Sequence, residues 1–240
     1  MKILLYDLET TPNLAYVWGK FEQNVIAFEK EWEILCFAYK WYGEKEVQCF
    51  ARDGKDDYTL LKRLYKLFKE ADVIIAHNGD NFDQKKVNAR LIYHGFSPPK
   101  IMRSIDTKKI AKRYFAFNSN SLNDLGTHLG LGKKVETGGF ELWRRCMLGC
   151  KKSWKKMMKY NKQDVVLLEK VYKKFLPWIQ DHPNVAKVNE VKENKFGICP
   201  NCGSAHVWKG GIRASNMQLR QQWQCKTCKS WFLTKYVKEK

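Results

Sequence analysis

Residues 3–9 read ILLYDLE, and this stretch constrains the chain more than any other. A short apolar run with an aromatic behind it marks a buried strand, and Lys2 to Tyr6 fits that pattern. Asp7 and Glu9 stand at its end. Strand side chains alternate faces, so residues two apart point the same way. The two carboxylates therefore share a face, and Leu8 turns into the core. Neighbouring acids repel unless a cation sits between them, and hard divalent ions take oxygen ligands. A lone DxE is more often only a polar strand end, here running into the turn Thr10-Thr11-Pro12-Asn13. Acids further along decide between the two.

The chain has 240 residues, enough for one large domain and a small appendage. Hydrophobics at 44% and aromatics at 14% exclude global disorder. No apolar run approaches a membrane span, and the start lacks a signal-peptide pattern. The expected setting is intracellular and cytoplasmic, away from membranes. A formal charge of +19 points to a polyanionic partner, nucleic acid above all. Of eight cysteines, Cys36, Cys49, Cys146 and Cys150 are isolated or loosely spaced, whereas Cys199/Cys202 and Cys225/Cys228 form CxxC pairs. That is metal usage in a reducing compartment rather than a disulfide framework.

After the first strand, WEILCFAYKWY (32–42) and EVQCF (46–50) read as a hairpin continuing the sheet. Residues 56–71 form an amphipathic helix, with Leu60, Leu61, Leu64, Leu67 and Phe68 inward. Val73 to Ala76 is a short buried strand ending in HNGDNFD, residues 77–83. From about Phe82 a helix runs to Tyr93, with Val87, Leu91 and Ile92 inward, so Asp83 lies in its first turn, where an acid suits the helix dipole. Asp106 is expected to cap the next helix, and Ser121 begins another. The aromatics of Phe115 to Asn120 are expected to pack inward. Residues 133–152, basic and marked by Gly138-Gly139 and Gly149, read as a loop lining a groove. Ser153 opens the longest helix, to about Trp178. On it Tyr160 and Asp164 are four apart and share a face, and an acid beside the inward stripe needs a partner or a metal.

Taken together, Asp7 and Glu9, then Asp83 in HNGDNFD, then Asp164 in YNKQD (160–164), resemble the DEDD superfamily of 3′–5′ exonucleases. Tyr160 places the resemblance in the DEDDy branch, which includes proofreading exonuclease domains of DNA polymerases. The DEDDh branch would want His at position 159, which is Lys159. The resemblance covers residues 1 to about 180. It implies an α/β fold: a ribonuclease H-like mixed sheet flanked by helices. It also implies two Mg²⁺ or Mn²⁺ ions, which supply an activated water, in-line geometry and charge neutralisation. Asp7 would bridge both ions, Glu9 and Asp164 would hold the nucleophile-side ion, and Asp83 would support the second. Tyr160 would orient the attacking water, and Asn78 and Phe82 would shape the 3′-end site. Asp80 is the rival carboxylate of the second motif, with Asp83 preferred.

The tail is a second signal. Two CxxC pairs 22 residues apart fit a four-cysteine structural Zn²⁺ site, Cys199, Cys202, Cys225 and Cys228, and resemble a zinc ribbon. The expected division is 1–183 catalytic domain, 184–196 linker and 197–240 ribbon. From Val185 on there are eleven Lys and Arg against three Glu. Trp208, Lys209, Arg213, Arg220 and Trp223 offer phosphate contacts and base stacking; a tail that packs on the catalytic domain or meets another protein is the alternative. The expected function is metal-dependent 3′–5′ exonuclease, on DNA rather than RNA, with a separate polymerase or a replication or repair protein as partner. A structure-selective endonuclease or ribonuclease H-type enzyme, and a catalytically silent adaptor, are the competing readings. The compact combination is also similar to stand-alone nucleases of phage genomes, in which case the setting is a host's cytoplasm.

Overall fold

The computed structural model describes residues 1–21, 24–53, 56–100, 102–185, 198–214 and 218–235. The expected linker, 184–196, lies outside the described residues from 186 on. In chain order the elements are β1 (Ile3–Thr10), β2 (Leu14–Tyr16), β3 (Ala27–Lys30), β4 (Ile34–Trp41) and β5 (Gln48–Ala51). There follow α1 (Tyr58–Glu70), β6 (Val73–Ala76), α2 (Asp83–Tyr93), β7 (Arg103–Asp106), α3 (Thr107–Tyr114) and α4 (Leu122–His128). Next come α5 (Phe140–Met147), α6 (Lys151–Phe175) and a 3₁₀ turn (Leu176–Trp178), then β8 (Val207–Ala214), β9 (Leu219–Cys225) and β10 (Trp231–Lys235).

β1 lies at the centre of a five-stranded sheet of order β5-β4-β1-β6-β7. It runs antiparallel to β4 and parallel to β6, so the sheet is mixed and flanked by helices. Alternation along β1 divides the core. Leu4, Tyr6 and Leu8 pack with Leu61, Leu64 and Phe68 of α1 and Val87 of α2. Ile3 and Leu5 pack on the other face with Val165, Leu168 and Val171 of α6. Asp7 and Glu9 continue this second series, so the pleat itself aims them at α6. The hairpin of β4 and β5 forms as expected, and Phe115 and Phe117 pack inward on Phe175.

Three expectations need correction. Residues 133–152 are not a loop throughout, because Phe140–Met147 is helical and buries Leu142 and Cys146 against Met157 and Tyr160. Ile92 does not face the core. It is 79% exposed, since its neighbour Leu91 takes the inward position. The long helix starts at Lys151 and gives way to the 3₁₀ turn at Leu176, with Pro177 lacking the N–H to carry the helix on.

The C-terminal strands form a separate antiparallel sheet, β10-β9-β8. It is docked on the end of α6 by polar contacts. Asn201, buried, donates to the carbonyl oxygens of Leu176 (3.4 Å) and Ile179 (3.3 Å) and to Ser230 Oγ (3.0 Å). Ser230 Oγ donates in turn to Leu176 O. The last carbonyls of the helix are thus satisfied from the ribbon. None of the helices among the described residues is long and apolar enough to cross a membrane.

Candidate metal centre

α6 lays Tyr160, Asn161 and Asp164 over the end of β1. Carboxylate oxygens of Asp7, Glu9 and Asp164 come within 4.8 Å of one another. Asp164 is wholly buried, and its Oδ1 has no hydrogen-bond partner among the described residues. An orphaned buried carboxylate oxygen is costly unless something else coordinates it. Its Oδ2 accepts from Lys134 Nζ at 2.6 Å, and the same ammonium donates to Tyr160 Oη at 3.2 Å.

The charges are out of balance. Burial pushes the Asp7 carboxyl well above the usual range, and the neighbouring Asp83, Glu9 and Asp164 push the same way. Glu9 is raised to about 8, chiefly by burial, with Lys134 opposing. Asp164 is raised by burial against the pull of Lys134. Burial and the surrounding acids also raise the Tyr160 hydroxyl, so it keeps its proton beside Asp164. Three oxygen ligands in reach, one of them orphaned, and a local excess of negative charge fit a hard divalent cation.

Asp83 reaches the site from the other side of β1. Its Oδ1 accepts from the backbone N–H of Leu8 at 3.2 Å, and burial raises it to about 7. It lies outside the group formed by the other three acids but adds to the field on Asp7. The loop before it is built on Asp106. Besides capping α3 through Lys108 and Lys109 N–H, this carboxylate accepts from Asn78 N (2.9 Å) and Asp80 N (3.3 Å). Asn78 adopts a left-handed φ of 65°, which Asn tolerates better than most residues. At Gly79 a Cβ would lie 2.4 Å from that of Ala76, so only glycine fits. Asp80, the rival carboxylate, is engaged elsewhere by Ser104 and Lys109. Phe82 is 38% exposed at the start of α2.

A family model described as the RNase_H superfamily matches residues 21–176. The chain belongs to this superfamily. That membership supports nuclease activity and the use of divalent metal. Among solved structures, a family B DNA polymerase from the hyperthermophilic archaeon Pyrobaculum calidifontis is similar, with a TM-score of 0.57 and 16% identity. The match covers 74% of this chain and 25% of the polymerase, so the likeness is one of fold over a quarter of that protein. Among curated proteins none matches the chain in sequence.

Three side chains at this RNase_H-type centre went unnoticed in the sequence. Lys134 comes from the segment before α5. Asn161, wholly buried, donates from Nδ2 to Asp7 Oδ2 at 2.6 Å and so orients that acid. Trp143 of α5 helps hold the Glu9 carboxyl down and meets Tyr160 edge-on, ring centres 6.1 Å apart. Asn161 had a signal, since it lies between Tyr160 and Asp164 on the inward side of the helix.

The second cluster lies in the ribbon. Sγ atoms of Cys199, Cys202, Cys225 and Cys228 all fall within 4.8 Å of one another. Cys199 and Cys228 are 3.5 Å apart, Cys202 and Cys225 3.6 Å. A tetrahedron with zinc–sulfur bonds of about 2.3 Å has edges of roughly 3.8 Å. Four thiols so gathered fit that metal. Trp208 is exposed, with its Nε1 donating to Gln224 Oε1. Lys209, Arg213 and Arg220 stand on β8 and β9, Arg213 directly opposite Arg220. Trp223 is a correction. It is buried, with Nε1 donating to Thr234 Oγ1, and serves as the ribbon's core rather than as a stacking surface.

Proposed function

We propose that the protein is a metal-dependent 3′–5′ exonuclease of DEDDy type, cutting phosphodiester bonds of nucleic acid, DNA in preference to RNA. One observation carries this reading. Tyr160 and the buried, half-orphaned Asp164 sit one helical turn apart, directly over Asp7 and Glu9. Asp7, Glu9 and Asp164 would hold divalent metal, Mg²⁺ or Mn²⁺, with Asp83 supporting a second ion. Two such ions, when bound, activate water and neutralise the leaving oxygen.

The remaining work falls to the chain. Asn161 fixes the rotamer of Asp7, and the Leu8 N–H fixes that of Asp83. Tyr160 Oη keeps its proton and would offer a lone pair to the attacking water. Lys134, paired with Asp164 and Tyr160 Oη, keeps a cation beside the acids that would offset the charge of a phosphate bound there. Asn78 and Phe82, at the mouth of the second motif, shape the 3′ end. In the ribbon, like charges opposite one another across strands are unfavourable unless an anion comes between them. The facing pair Arg213 and Arg220 thus supports phosphate contact, together with Trp208 and Lys209. We assign residues 1–183 to catalysis and 197–240 to a zinc ribbon that helps hold substrate. A separate polymerase or a replication or repair protein is the fitting partner.

The test uses linear and circular single-stranded DNA, linear RNA, and label at either end, with Mg²⁺. The expected result is stepwise shortening of linear DNA from the 3′ end, with the circle left intact. Cutting of the circle would replace this reading with an endonuclease.

A further inference from the structure

Where the ribbon meets the end of α6 it leaves a cleft of about 730 Å³. We propose that this cleft is a second nucleic-acid site, which takes a single strand by stacking bases on Trp178 and Trp231 and holding phosphate with Lys174 and Lys229. The proposal rests on the reading that the substrate is nucleic acid, but on residues apart from the acid cluster. Lys174 lies ten residues beyond Asp164, about 15 Å further along the helix.

Both indoles are exposed yet held. Trp178, 58% exposed, has its ring fixed edge-on against Phe115 at 5.4 Å. Trp231, 47% exposed, lies across Gly210, where a Cβ would meet the ring at 2.3 Å. Trp208 braces it at 5.7 Å. A preorganised, water-facing aromatic pair suits base stacking, which tolerates any sequence. The cations beside it are uncommitted. Lys173 is tied to Glu169, whereas Lys174 and Lys229 are exposed and form no ion pair among the described residues.

Backbone conformation supplies an independent argument. The two cysteine knuckles make the same turn: Gly203 N donates to Cys199 O at 2.8 Å, and Lys229 N to Cys225 O at 2.9 Å. The turn requires a left-handed residue, and φ is 73° at Gly203 and 65° at Lys229. Glycine takes this conformation freely, whereas lysine is strained in it. The chain thus places a lysine where its sister turn has glycine, and that lysine lines the cleft. Its side chain accounts for a choice that the turn disfavours.

The test measures binding of a fluorescent single-stranded oligonucleotide to zinc-loaded, full-length protein in the Asp7→Asn background, without magnesium or chelator. Lys229→Gly is expected to leave the melting temperature unchanged or raise it. It should weaken binding severalfold and reduce the slope of log K against log salt by about 0.7, one phosphate contact. Trp178→Ala should weaken binding by roughly five- to a hundredfold. Parental affinity and salt slope in both variants, or no binding by the parent, would overturn the proposal. Cleavage by the Asp7-containing protein is scored separately. A protein that cuts but ignores both substitutions refutes the cleft, and one that binds through the cleft but never cuts refutes the nuclease.

Discussion

Lys134→Met keeps the length of the side-chain stem and removes the cation that touches Asp164. Asp164 is wholly buried and the Lys134 side chain is 30% exposed. Breaking a buried pair by deleting one partner costs about 3–5 kcal/mol. The low end applies, because Lys134 is partly solvated and the stranded acid can take up a proton. For a chain of this size 1 kcal/mol corresponds to about 2–4 °C in Tm. A loss of about 3 kcal/mol is therefore a fall of roughly 6–12 °C in magnesium-free buffer at pH 8. With saturating Mg²⁺ the metal supplies the missing charge, and the gap should close to a few degrees. Acid should also narrow it. Glu9 and Asp83, raised to about 8 and about 7, are largely protonated at pH 6 and no longer need a cation. Their raised values contribute stability that is complete below the ordinary carboxylate range and is lost as pH rises through about 7 to 8. Scanning fluorimetry of both proteins, with and without Mg²⁺ and at both pH values, reads all of this. An equal loss of Tm under all four conditions would refute the reasoning, because Lys134 would then be a packing residue and not a counter-charge.

Other consequences are as specific. Asn161→Leu removes the donor that orients Asp7, and loss of such a partner typically costs 10–100-fold in metal affinity; the Mg²⁺ concentration for half-maximal cleavage should rise by about that factor, and an unchanged titration would contradict the role. Protons compete with metal for Glu9 and Asp83, so Mg²⁺ should bind more tightly at pH 8 than at pH 6 and release protons near neutrality, seen by calorimetry in buffers of different ionisation enthalpy. Asn201→Ala leaves the Ile179 carbonyl without its donor and takes one donor from Leu176 O, which keeps Ser230 Oγ, at about 1–3 kcal/mol. The main melting transition should drop by several degrees, as it should on zinc removal, and a ribbon that melts apart with that transition unmoved would refute the docking.

Much of this was legible from local pattern. The alternation of ILLYDLE fixes both the strand and the face on which its acids lie, because the period of a strand is two. Tyr160 and Asp164 share a helical face for an equally local reason. α5 was hidden because its buried face is only Leu142 and Cys146, four apart between flanking glycines. Leu91 and Ile92 adjoin, and only tertiary packing decides which one turns inward. Lys134 is one of 44 Lys and Arg; nothing local marks it, and only the fold brings it 30 residues across to Asp164. Trp223 and Trp231 look alike in sequence, yet one fills the ribbon and the other faces water.

The central claim is that the acids of β1 and α6 form the centre at which phosphodiester bonds are cut. Asp164→Asn tests it most directly, since the change preserves shape and removes the charge. On a 5′-labelled single strand in Mg²⁺ under single-turnover conditions, the wild-type protein should produce a ladder shortened from the 3′ end. The variant should be slower by at least about a hundredfold. A variant that digests the strand at the wild-type rate would place the chemistry elsewhere and contradict the account.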